Sequence, residues 1–154
     1  MKTGRINLIL SCAASIALAV ASPVRAEAEG TSAADGFVII IKADNPLSEI
    51  GAGALKKLFM GQITQVGGQK LTYVRPKEKD VYGRFRELIL RMSEQDEKTY
   101  WLKETFRGGV KFGKELDSVA AVVSLVESER AAIGIATRKA VAGKTGVKIL
   151  NVTS

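Results

Sequence analysis

The chain has no histidine and a single cysteine, Cys12, among its 154 residues. Without imidazole there is no His-ligated metal, no Ser-His-Asp or Cys-His catalysis and no histidine pH switch. One thiol permits neither an internal disulfide framework nor a thiolate zinc cluster. Proline occurs three times and tryptophan once, and aromatics make up only 6%. The composition is otherwise 46% hydrophobic and 25% charged, which suits one globular domain.

The first 26 residues read as a secretory signal peptide. Lys2 and Arg5 form a positive start, an apolar stretch runs from Ile6 to Val20, and Val24-Arg25-Ala26 supplies small residues before a cleavage point. Cuts after Ala21 or Ala28 fit the same pattern. The apolar run is too short for a membrane anchor, so no stable membrane insertion is expected after cleavage. Cys12 lies too close to Arg5 for a lipoprotein signal and reads as an ordinary small residue of the apolar stretch. Cleavage after Ala26 removes Lys2, Arg5 and Arg25 and no acid, so the formal charge falls from +7 to +4. Such a weakly basic exported chain is not expected to bind nucleic acid, and its location is expected to be periplasmic or secreted.

Residues 27–36 are small and polar and read as a flexible leader. The unbroken run Phe37–Lys42 suits a central strand buried on both faces of a parallel sheet. Ala54, Leu55, Leu58 and Phe59 fall at helical spacing, with Gly61 as a terminal cap. Gly67-Gly68 marks a turn, and Leu71–Arg75 is a second strand closed by Pro76. A helix over about 81–92 carries Val81, Phe85, Leu88, Ile89 and Met92 on one stripe, with Arg84, Arg86, Glu87 and Arg91 opposite. Ser93-Glu94-Gln95-Asp96 has the pattern of a capping box for a helix reaching about Thr105. Tyr100 and Trp101 read as packing residues on it rather than as a ligand platform. Arg107–Gly113 is a glycine-rich turn without nucleotide-motif spacing. Asp117-Ser118 can cap a valine-rich helix, with Ser118 a cap rather than a ligand. Ala132–Ala136 and Val147–Val152 are the last strands. Alternation of strand and helix makes residues 37–154 a single α/β domain with a mainly parallel sheet.

Four strings stand in a telling order: Ile40-Ile-Lys-Ala-Asp-Asn-Pro46, then Ala54-Leu-Lys-Lys-Leu-Phe-Met-Gly-Gln-Ile-Thr64, then Leu71–Pro76 followed by Arg84-Phe85, then Ala131-Ala-Ile-Gly134. Over residues 37–152 this succession resembles the substrate-binding proteins of phosphate ABC importers, in particular their short, single-unit relatives. The resemblance implies a periplasmic-binding-protein-like fold of type II, a phosphate or similar oxyanion ligand and, as partners, the membrane subunits of an ABC importer. In the large members two lobes close on phosphate held by backbone N–H groups, hydroxyls, an Arg and an Asp. Their phosphate loop, between the Arg-ending strand and the next helix, carries a Ser-Gly-Thr run. The corresponding stretch here, Arg75-Pro-Lys-Glu-Lys-Asp-Val-Tyr82, contains no Ser, Gly or Thr, and at about half the length of a two-lobed binder the chain is expected to have a second lobe that is absent or vestigial.

The residues of that stretch still suit an anion. Arg75 can bond two oxygens at once, and Lys77, Lys79 and Arg84 add full charges. Asp80 can accept from a protonated oxyanion or cap the helix, and Asn45 and Thr64 end other segments on what could be the same rim. The alternating signs of Lys77-Glu78-Lys79-Asp80 fit a solvated loop equally well. Carboxylates at Glu94, Asp96, Glu97, Glu127 and Glu129 read as helix-surface charges tied to no nucleophile, so an enzyme is the least supported class. No cofactor or metal is expected. The open choice is between a solute-binding module for an importer and an accessory or protein-interaction module that keeps the fold without the ligand.

Overall fold

A computed structural model of the protein describes residues 36–108 and 112–154. The expected signal peptide, residues 27–35 of the expected leader and the middle of the glycine-rich loop lie outside the described residues.

Along the chain come β1 (Val38–Lys42), β2 (Glu49–Gly51), α1 (Ala52–Phe59), β3 (Gln65–Val66), β4 (Gln69–Lys70), β5 (Thr72–Pro76) and α2 (Lys79–Phe85). A π-helical turn (Arg86–Leu90) and α3 (Glu94–Arg107) follow, then β6 (Lys114–Leu116), α4 (Val119–Ser128), β7 (Ala132–Ala136), α5 (Arg138–Val141), β8 (Val147–Ile149) and β9 (Asn151–Thr153). The main sheet has the order β6-β5-β7-β1-β8. β5 runs parallel to β6 and β7, whereas β1 is antiparallel to both β7 and β8. Four strands therefore point one way and β1 alone points the other, so the α/β sheet is mainly parallel.

The β-branched run buries β1 as expected, but β7 occupies the middle of the sheet and β1 lies next to the edge strand β8. An unbroken apolar run reports burial on two faces; it carries no strand direction. The expected last strand is divided at Leu150. β8 pairs with β1, β9 forms a small parallel sheet with β2, and the Leu150 N–H donates to the Ile39 carbonyl between them. β3 and β4 form a hairpin whose turn, Gly67-Gly68, has φ of 56° and 77°. Two successive positive φ angles are what a two-residue hairpin turn requires, and glycine supplies them without steric cost.

Helices cover both faces. On one, Val122 and Val126 of α4 lie over Gly134 of β7, so closely that a Cβ there would meet Val122 Cγ1 at 2.6 Å. On the other, an aromatic cluster joins β1, α1, β5 and α2. Phe59 stands 4.6 Å from Phe85 and 5.0 Å from Tyr73, ring centre to ring centre, and Phe37 meets Phe85 edge-on at 5.6 Å. The buried apolar residues are drawn from positions 37–152. No helix among the described residues is long and apolar enough to cross a membrane.

The helix expected over 81–92 begins earlier, at Lys79, and changes character at Arg86. A π turn accommodates an extra residue, which moves Leu90 into the core and leaves Leu88 41% exposed, against its place on the expected apolar stripe. The same turn brings Arg86, expected on the solvent side, inward. Arg91 ends it in the left-handed conformation at φ 53°. The capping box then starts α3 as the sequence indicates: Ser93 Oγ accepts from the Asp96 N–H at 3.1 Å and Asp96 Oδ2 accepts from the Ser93 N–H at 3.2 Å.

Candidate functional site

The carboxyl end of β5, the start of α2 and the first half of α3 enclose a cleft of about 340 Å³. Ligands of open α/β sheets commonly sit outside the carboxyl ends of parallel strands. Arg75 leaves β5 at its last turn of pleat, Lys77 and Lys79 stand on the connection to α2, and all three line the cleft. Arg86 and Lys98 complete its cations. Glu94, Glu97 and Glu115 oppose them, so five positive charges face three negative ones.

Glu97 organises the inner wall. It is 5% exposed although the sequence placed it among helix-surface charges. The correction has a physical reason: the position faces the strand-end arginine rather than solvent, and a buried carboxylate persists only where it is paired. Arg75 Nη1 bonds Glu97 Oε1 at 2.9 Å, Arg86 Nη1 lies 3.6 Å from Oε2, and the Tyr82 hydroxyl donates to Oε1. Trp101 Nε1 reaches the same oxygen at 3.4 Å. Arg75 also donates to the Tyr82 hydroxyl at 3.0 Å, sits over the Tyr82 ring at 5.0 Å and pairs through Nη2 with Glu115 Oε2 at 2.9 Å. Burial opposes the Arg75 charge, but Tyr82, Glu115 and Glu97 together hold its pKa above the ordinary arginine value. Burial likewise pushes the Tyr82 phenol well above the usual tyrosine range, with the Glu97 hydrogen bond adding to it. Among the described residues, Arg86 Nε is buried with no protein acceptor.

The outer wall is wetter. Lys77 Nζ pairs with Asp117 at 2.6 Å, and both side chains are exposed. That hydrogen bond raises the Lys77 pKa and lowers that of Asp117. Glu78 Oε1 accepts from the Val119 N–H at 3.0 Å, tying the loop to the start of α4, which Ser118 caps.

Of the sequence-selected residues the fold gathers Arg75, Lys77 and Lys79. Asp80 and Arg84 line a separate shallow depression on α2, which Lys79 borders as well. Asp80 lies in the first turn of α2 and does not cap it; Glu78 holds the cap position, with no side-chain cap bond there. Asn45 is buried in a turn: its Oδ1 accepts from the Leu47 N–H and its Nδ2 donates to the Arg130 carbonyl, each at 3.0 Å. Thr64 lines another cavity of about 350 Å³ with Lys70, Tyr73 and Phe112. The sequence reading missed Tyr82, Arg86, Glu97 and Glu115 as members of the cleft. The only signal for Glu97 was its i, i+4 spacing to Trp101.

No protein-family model and no curated protein matches the sequence. The fold does have solved counterparts. An ABC-type phosphate transport receptor from Vibrio cholerae superposes with a TM-score of 0.60 at 20% identity, over 76% of this chain and 46% of that one. PstS from Borrelia burgdorferi gives a TM-score of 0.59 at 18% identity, over 77% of this chain and 47% of that one. The chain thus has the fold of phosphate ABC transporter substrate-binding proteins and spans less than half of their length. At these identities the likeness concerns the fold.

Proposed function

We propose that the chain is exported and that the cleft at the carboxyl end of β5 binds a small oxyanion, phosphate foremost, on behalf of an ABC-type importer. The observation that carries this reading is the convergence of Arg75, Lys77, Lys79, Arg86 and Lys98 on one cleft at a parallel strand end. The residues lining the cleft carry more positive than negative charge, which attracts an anion even with Lys77 paired to Asp117. The fold shared with the phosphate receptors supports the same ligand class. Amide spectra of the chain from Glu27, titrated with sodium phosphate at low ionic strength, test it. Saturable shifts confined to Lys77–Lys79, the Trp101 indole and the start of α3 are expected. Unsaturated shifts scattered over every surface lysine would mark diffuse electrostatics instead. The export component is tested by the mass of the chain recovered outside the cytoplasm, which should begin at or near Glu27.

A second reading, an accessory or protein-interaction module, rests on a different observation. Arg75 is already engaged by Glu97 and Glu115, and the exposed Leu102 and Phe112 line an adjoining groove that shares Arg75, Lys98, Trp101 and Glu115 with the cleft. Under this reading the shifts are absent at millimolar phosphate.

A further inference from the structure

We infer that the ligand of the cleft carries an apolar group: it is a phosphate monoester or a phosphonate, with its oxyanion among the cleft's cations and a small alkyl or aryl substituent in the groove alongside. This rests on the anion reading proposed above and names the class of anion. The groove, about 440 Å³, shares Arg75, Lys98, Trp101 and Glu115 with the cleft. Those four include every charged residue that lines it. Its remaining walls, Tyr73, Leu102, Thr105, Phe112 and Gly113, carry no charge. Cleft and groove together therefore have a charged end and an uncharged, largely aromatic end, which meet at Arg75, Lys98 and Trp101.

The uncharged end suits a substituent. Leu102 and Phe112 are 60% and 59% exposed, and the Trp101 and Phe112 rings stand 5.3 Å apart with their planes tilted by 37°. Apolar and aromatic walls with a few polar groups are the usual lining of small-molecule sites, and the groove's volume lies toward the lower end of their range, enough for one ring or a short chain. An inorganic oxyanion has no apolar surface for these walls to cover, so they add nothing to its binding. An alkyl or aryl substituent leaves water on entering them. A purely apolar molecule, in turn, makes no use of the cations at the junction. Those cations can turn to a ligand: Lys98 pairs with Glu94 at 2.8 Å between exposed side chains, and Arg75 Nη2 with the half-exposed Glu115. Ion pairs so open to solvent are weak.

Calorimetric titrations of the chain from Glu27 with sodium phosphate, phenyl phosphate and phenol, at one low ionic strength, test the inference. Phenyl phosphate should bind at least about tenfold more tightly than phosphate, and phenol should show no saturable binding at millimolar concentration. Leu102→Ser combined with Phe112→Ser should erase most of that advantage. It should leave the phosphate affinity and the melting temperature unchanged, because both side chains are exposed and neither lines the cleft. Phosphate binding with phenyl phosphate no tighter overturns this inference alone and leaves the groove to another protein. An advantage that survives the double substitution, or phenol binding as tightly as phenyl phosphate, also overturns it. Binding of phenyl phosphate without measurable binding of phosphate supports it and removes inorganic phosphate from the reading above. Binding of neither overturns that reading and this inference with it.

Discussion

Glu97 holds two arginines, a tyrosine and a tryptophan around one buried carboxylate, and its removal strands charge in the protein. Glu97→Ala should cost about 3–5 kcal/mol in urea unfolding, because Arg75 and Arg86 lose their shared counter-ion. Arg75→Ala should cost a similar amount, and the double variant less than the sum. Glu115→Gln should cost under about 1 kcal/mol, since Glu115 is 42% exposed and its pair is solvent-screened. Tyr73 and Tyr82 supply a pH dependence. Burial raises both phenol pKa values. A phenol whose folded pKa exceeds its unfolded value of about 10 contributes stability in full below that pH and loses it as pH rises through the folded value. Their tyrosinate absorbance should therefore lag behind that of a free phenol and appear together with unfolding, and Tyr82→Phe should remove part of the delayed signal.

At the scale of elements, each packing contact answers to a particular residue. Ile39, 1% exposed in β1, is registered against Ile135 of β7. Ile39→Asp places an unpaired carboxylate there and should abolish cooperative melting; an unchanged melting temperature would remove β1 from the core. Gly134 admits α4 onto β7, so Gly134→Ala should destabilise by about 1–3 kcal/mol through the clash with Val122 and Val126 in thermal melts. These elements were legible because the run Phe37–Ile41, the valine stripe of α4 and the Ser93–Asp96 cap are local signals. Strand direction, the division at Leu150 and the π turn were not. Each depends on which distant segment lies alongside, and a stripe counted at 3.6 residues per turn goes wrong by one position where an extra residue enters. The same limit applies to the site. Arg75, Lys77 and Lys79 are neighbours in sequence and could be grouped by reading, whereas Glu97 and Glu115 reach the cleft from α3 and β6.

At the scale of the whole molecule, a chain that spans less than half the length of the phosphate receptors it resembles in fold carries a hydrophobic core and a charged cleft at a strand end. Asn45, expected on the rim, serves a turn, and Asp80 and Arg84 face another surface, so the proposed binding falls to the cations around Arg75. Glu115 competes with any anion for Arg75 Nη2. The most direct measurement is a calorimetric titration with phosphate of the wild-type chain from Glu27 and of its Glu115→Gln variant, side by side at low ionic strength. The account predicts saturable binding by the wild type at millimolar phosphate or below, tightened about three- to tenfold in Glu115→Gln, as release of a partly screened ion pair allows. No binding at millimolar phosphate, or an affinity that Glu115→Gln leaves unchanged, would contradict it.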